Sequence, residues 1–155
     1  MAKEDRGLLR ERLDADLKTA LRQHDAARLS IIRQVKSGVL AQETRATRTT
    51  LDDDGIMAVI AKEIKERREA LADFQRAGRQ DLVEKAHAEI AMLEEYLPPP
   101  LSAEDLEALV TRAIAESGAG GPRDMGRVMA WLMPHVRGRA DGRLVSERVK
   151  ARLQP

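Results

Sequence analysis

Apolar residues return every three or four positions along almost the whole chain, and no stretch alternates apolar with polar long enough to make a strand. The spacing predicts a first helix over residues 5–23, with Leu8, Leu9, Leu13, Leu17 and Leu21 inward. His24-Asp25 breaks it, and Asp25 is placed to cap a second helix over 26–44, burying Leu29, Ile32, Val35, Val39 and Leu40. Residues 45–50 lack any apolar period and read as a mobile loop. Asp52-Asp53-Asp54 suits the start of a third helix, because carboxylates cap free amides and complement the helix dipole. Ile56, Ile60, Ile64, Leu71 and Phe74 form its inner face, and Gly78 ends it. A fourth helix over 80–96 buries Leu82, Ala86, Ile90, Leu93 and Leu97.

Pro98-Pro99-Pro100 then stops helical geometry and marks the domain boundary. Ser102, with Asp105 three residues on, opens a fifth helix over 103–117 that turns Leu106, Leu109, Val110 and Ile114 inward. Gly118-Ala119-Gly120-Gly121 is a flexible loop, and Pro122 opens the sixth helix at the position where a missing N–H costs nothing. Met125, Val128, Met129, Leu132 and Met133 give that helix an apolar face. A basic turn holds Arg137, Arg139 and Arg143, with Gly138 and Gly142 expected to let the backbone bend. A last helix over 142–153 packs Leu144, Val145, Val149 and Leu153. The fold class is all-α. A four-helix region spans 1–97, a proline linker 98–100, and a small three-helix domain 101–155.

Composition agrees with this. The chain has 155 residues, 43% of them hydrophobic, which is enough for one domain or two small ones and too much for a disordered chain. Trp131, Tyr96 and Phe74 are the only aromatics, so the core is aliphatic. With no cysteine, disulfides, thiolate zinc sites and cysteine nucleophiles are excluded. No run approaches ~20 apolar residues, so no membrane span is expected. Met1 to Arg6 lead into an amphipathic helix and lack a signal peptide's apolar region, which points to a cytoplasmic protein. Charge is uneven. Residues 122–155 carry eight Lys or Arg against three Asp or Glu, on a chain whose net charge is +1.

Catalytic patterns are weak. His24, His87 and His135 stand in no metal-ligand spacing, and no serine lies in G-x-S-x-G. Gly118 to Pro122 lacks the Gly-Lys-Ser/Thr of a phosphate loop. Asp52-Asp53-Asp54-Gly55 lacks the alternating ligands of a calcium loop. No catalytic residue, metal or cofactor is assigned.

The segments Asp124-Met125-Gly126-Arg127-Val128-Met129 and Gly138-Arg139-Ala140-Asp141-Gly142-Arg143-Leu144-Val145-Ser146 closely resemble the C-terminal tail shared by the YqeY family and the B subunit of the bacterial tRNA-dependent amidotransferase. The likeness extends upstream. Leu13, Asp16, Leu17 and Ala20 match the family's opening segment, and Asp25 to Arg33 its D-x-x-R-L stretch. Arg67-Arg68-Glu69, Phe74, Gly78-Arg79 and Asp81-Leu82 match a third segment, and Glu89, Leu93, Tyr96-Leu97-Pro98 and Leu101-Ser102 a fourth.

The resemblance implies a stand-alone, bacterial YqeY-type protein, expected to be monomeric. In the amidotransferase this tail belongs to the part that grips tRNA, while glutamine hydrolysis and tRNA phosphorylation occur in regions this chain lacks. Three readings stay open. The first is a non-catalytic protein that binds tRNA, or an aminoacyl-tRNA-handling enzyme, through Arg123, Arg127, Arg137, Arg139, Arg143 and Lys150. The second is a protein–protein interaction module using the same basic turn. The third is a carbon–nitrogen ligase with glutamine as amido-N-donor, a label inherited by similarity. The scarcity of aromatics directs any RNA contact to phosphate and shape.

Overall fold

The computed structural model describes residues 8–154, so the part of the first predicted helix at 5–7 lies outside the described residues. Among the described residues there are seven α-helices and no strand. They fall into two compact units, residues 1–97 and 98–155.

The first unit holds α1 (Leu8–Arg22), α2 (Ala26–Gln42), α3 (Asp53–Arg76) and α4 (Gln80–Glu94). Asp25 serves two helices. Its amide donates to Ala20 O at 2.9 Å and closes α1, while its Oδ1 accepts from Arg28 N at 3.1 Å and opens α2. Asp52 caps α3 by accepting from Gly55 N at 2.9 Å. The neighbouring Asp53 accepts from the Leu9 amide at 3.3 Å, near the start of α1. Gly78 takes φ +66°, the left-handed geometry expected after a helix end.

The core of this unit is aliphatic. Leu13, Ile32, Val35, Ile56, Ile60 and Leu93 are almost fully enclosed, joined by Tyr96. Each such side chain contributes about 1.5–3 kcal/mol on burial. Gly38 marks a close crossing of α2 and α3, since a Cβ there would lie 3.0 Å from Val59 Cγ1.

Several expected inward residues are not buried. Leu8, Leu21 and Leu40 are exposed, and Leu17, Leu29, Leu71, Phe74, Leu82 and Leu97 only half-buried. Ala20, Ile31 and Val83 take core positions instead. Part of the expected loop at 45–50 is helical, because a π-helical turn, Glu43–Thr47, continues α2. Glu43 anchors that turn. Its Oε2 accepts from Arg10 Nη2 and from the Leu51 amide, both at 2.7 Å. The Leu51 amide above all holds its carboxyl below the usual range.

The second unit holds α5 (Ala103–Ser117), α6 (Met125–Val136) and α7 (Gly142–Leu153), with a 3₁₀ turn, Pro122–Asp124, before α6. Ser102 caps α5 through a 3.0 Å bond from Asp105 N, and Gly118 at φ +67° ends it. Pro122 therefore opens the 3₁₀ turn, and the α-helix starts three residues later than expected. Leu106, Val110, Ala113, Val128, Leu132, Val136, Val145, Val149 and Leu153 make a separate core. The methionines of α6 only flank it, and Leu144 points outward.

Candidate binding surface

The turn between α6 and α7 is built by main-chain geometry. Arg139 N and Ala140 N both donate to Val136 O, at 2.9 and 3.1 Å. Gly138 supplies the required left-handed residue at φ +75°. Gly142 makes no such bend. It is the first residue of α7, has no positive φ, and a Cβ there would meet nothing within 4 Å. Asp141 does the local work at that end by accepting from Arg143 N at 2.9 Å.

The six predicted cations are in different situations. Arg123 and Lys150 are exposed, and their side chains make no ion pair among the described residues. Arg137 is also exposed. The Arg143 side chain is 86% exposed, with Nε 3.9 Å from Glu147 Oε1. Arg127 is tethered to Asp124 Oδ1 at 2.6 Å. The second oxygen of Asp124 accepts from Gly120 N at 2.8 Å. The Gly120 amide and then Arg127 hold this carboxyl below the ordinary aspartate range. Arg139 is half-buried. Its Nε donates to Pro99 O at 3.2 Å, and its carbonyl accepts from Leu101 N at 2.9 Å. Two further arginines, Arg148 and Arg152, share Glu107 at 2.6 and 3.2 Å.

Three residues outside that set meet on α5 and α6. The Trp131 and His135 rings stack with centroids 4.3 Å apart and planes 12° from parallel. The Arg112 guanidinium lies 5.4 Å from the Trp131 ring centre. Arg127, Trp131 and His135 recur every four residues, a spacing visible in the sequence. The Arg112 contact crosses between helices and leaves no local trace.

In the first unit, a cleft of about 380 Å³ is lined by Leu13, Val39, Leu40 and Ile56 with Arg10 and Lys36. Both cations are already paired, Arg10 with Glu43 and Lys36 with Asp14. Arg67 is enclosed by Glu63 at 2.6 Å and Glu89 at 2.8 Å, and also reaches Gln34. Burial disfavours its charge, but the two carboxylates outweigh that and its pKa stays raised. Among the described residues no His, Asp and Glu cluster has metal-site geometry, and no helix is long and apolar enough to cross a membrane.

Comparison with known proteins adds relatives with names. The chain is 34% identical over 143 residues to "Altered inheritance of mitochondria protein 41, mitochondrial" of Pyrenophora tritici-repentis, covering 90% of this chain and 77% of that protein. It is 35% identical to the protein of the same name in Kluyveromyces lactis, covering 67% of this chain and 57% of that protein. The corresponding figures for Lachancea thermotolerans are 30%, 71% and 60%. The matches thus span less than two thirds of the two yeast relatives. These fungal relatives are named as mitochondrial, which overturns the expectation of a cytoplasmic protein and gives no support to a bacterial one. The physical reason is that an amphipathic opening segment and the lack of a long apolar helix among the described residues do not distinguish one aqueous compartment from another. The family model described as "Yqey-like protein" matches residues 10–153, nearly the whole described chain, and the protein belongs to the YqeY family.

Proposed function

We propose that this protein is a non-catalytic helical adaptor that binds tRNA, or an enzyme carrying tRNA, through its second unit. One observation carries the reading. Beyond Pro122, two of the three acidic residues are engaged locally, Asp141 as a helix cap and Asp124 with Gly120 and Arg127. Arg123, Arg143 and Lys150 meanwhile project into solvent, Arg143 with Glu147 3.9 Å away, so three cations stand open to an anionic partner. Guanidinium and ammonium groups so placed suit phosphate, and each phosphate neutralised releases counterion.

The test is equilibrium binding of tRNA across a salt series. Wild-type affinity should fall with salt. Replacing Arg123, Arg143 and Lys150 together by Ala should flatten the log-affinity against log-salt slope by roughly 0.7–0.9 per lost contact. Lys62→Ala, on an exposed face of the first unit, serves as the charge control. Salt-independent binding, or a triple variant as tight as its parent, defeats the proposal and leaves the protein–protein reading in front.

A further inference from the structure

We infer that the Arg112–Trp131–His135 stack, with Arg127 one turn before it on α6, is a platform for unpaired nucleobases of an RNA strand. This deepens the proposed RNA-binding reading and rests on it.

The second unit contains one aromatic residue and one histidine, and the fold places those two rings in contact. Trp131 is half-buried and packs partly on the core, so it is anchored, while His135 is exposed. The histidine ring is also fixed. Its Nδ1 lies 3.0 Å from Trp131 O, and a carbonyl oxygen can only accept, so Nδ1 carries the hydrogen. That leaves Nε2 to pair with a ligand. Arg112 adds a third planar group against Trp131, itself steadied by Glu116 at 3.3 Å.

Planar rings and guanidinium groups are what unstacked bases settle on, and preorganised ones cost less entropy to engage. On α6, Arg127 lies four residues before Trp131 and His135 four after it, while Arg123 belongs to the 3₁₀ turn that precedes the helix. Cations beside rings are how proteins hold single strands, with phosphate on the cations and bases on the rings. Aromatic scarcity across the chain therefore does not limit RNA contact to phosphate, because what rings the unit has are gathered in one place.

Trp131 is the chain's sole tryptophan, so its emission reports this site alone. The full-length protein would be titrated at one salt concentration with an oligoadenylate single strand and with a blunt RNA duplex of equal length. Both RNAs would carry an end label, so that anisotropy measures binding separately from emission. The single strand should shift or quench Trp131 emission, and the duplex should bind with emission unchanged. His135→Ala, at an exposed position outside the core, and Trp131→Leu should each weaken the single strand roughly tenfold and leave duplex affinity unaltered. Circular dichroism confirms that each variant folds. If both RNAs bind in a salt-dependent way but emission is flat and His135→Ala binds like its parent, the platform is refuted and phosphate binding survives. If neither RNA binds at low salt, both readings fall.

Discussion

The Leu101 amide donates a hydrogen bond of 2.9 Å to the Arg139 carbonyl. With Arg139 Nε bonded to Pro99 O at 3.2 Å, this residue ties the basic turn to the segment that enters α5. Arg139 and Arg143, alike in sequence, are thus expected to behave differently. Arg139→Ala should lower stability in urea by about 0.5–1 kcal/mol, the usual net worth of such a bond. Arg143→Ala should stay within about 0.5 kcal/mol of its parent, as exposed substitutions do. Equal losses for the two would remove the distinction.

The two glycines of the turn are expected to separate as well. At φ +75°, Gly138 holds a conformation in which a Cβ is strained, so Gly138→Ala should cost about 1–2 kcal/mol. Gly142 begins a helix with open space around it. Gly142→Ala should be neutral or stabilise by about 0.4–1 kcal/mol, because alanine narrows the unfolded ensemble. Thermal melts of the two variants check this, and a destabilised Gly142→Ala would return the hinge to that position.

Local chemistry explains what the sequence made legible. The start of α5 follows from Ser102 and the end of α3 from Gly78, because caps and left-handed stops act over about three residues. Which of two adjacent apolar residues turns inward is a tertiary matter. Leu144 beside Val145 and Leu40 beside Val39 satisfy a helical period about equally, and only the packing partner decides. The π-helical turn was hidden for the same reason, since Glu43 is held by Arg10 and Leu51, 33 and 8 residues away. Of the candidate platform, the spacing of Arg127, Trp131 and His135 was readable, and the crossing of Arg112 from α5 was not.

Arg67 and Arg68 should differ as sharply. Arg67 bridges α3 to α4 through Glu89 and is 14% exposed, whereas the Arg68–Glu94 pair at 2.7 Å lies at a surface more than half open on the arginine side. Removing Arg67 strands Glu63 and Glu89, which are 22% and 17% exposed. Allowing for that partial exposure, Arg67→Ala should cost about 2–3 kcal/mol. Arg68→Ala should cost less than about 0.5 kcal/mol. Arg67→Lys should recover little, because an ammonium cannot reproduce the fork that meets two carboxylates. Denaturant midpoints for the three variants decide it, and a tolerated Arg67→Ala would mean the network contributes nothing net.

Tyr96, the sole tyrosine, gives the first unit an alkaline limit. Its buried hydroxyl donates to Asp16, and both burial and that carboxylate push its pKa well above the ordinary value of 10.0. The folded state therefore keeps a proton that the unfolded state releases near pH 10. This contribution to stability is complete below that pH and is lost as pH climbs toward the folded value. Tyrosinate absorbance should consequently rise only together with the loss of helical circular dichroism. Tyr96→Phe should remove the absorbance change while leaving any alkaline unfolding due to other groups. Ionisation near pH 10 with the helices intact would show that the hydroxyl is not held as described.

The two units are expected to fold separately, because their buried cores have no residue in common. Where the second unit begins matters. Leu101 is half-buried against its core, and the segment 99–101 supplies both hydrogen bonds to Arg139. A fragment of residues 98–155 should show helical circular dichroism and a cooperative, low-temperature melt, since so short a chain buries little surface. A fragment of residues 102–155 keeps the Ser102 cap but loses those two hydrogen bonds and the packing of Leu101. It should be less stable by about 1–2 kcal/mol, which at such marginal stability is enough to populate the unfolded state at room temperature. If 98–155 is unfolded under conditions where the whole chain is folded, the second core does not stand alone. If the two fragments melt together, the tie between Arg139 and the proline segment carries no stability of its own.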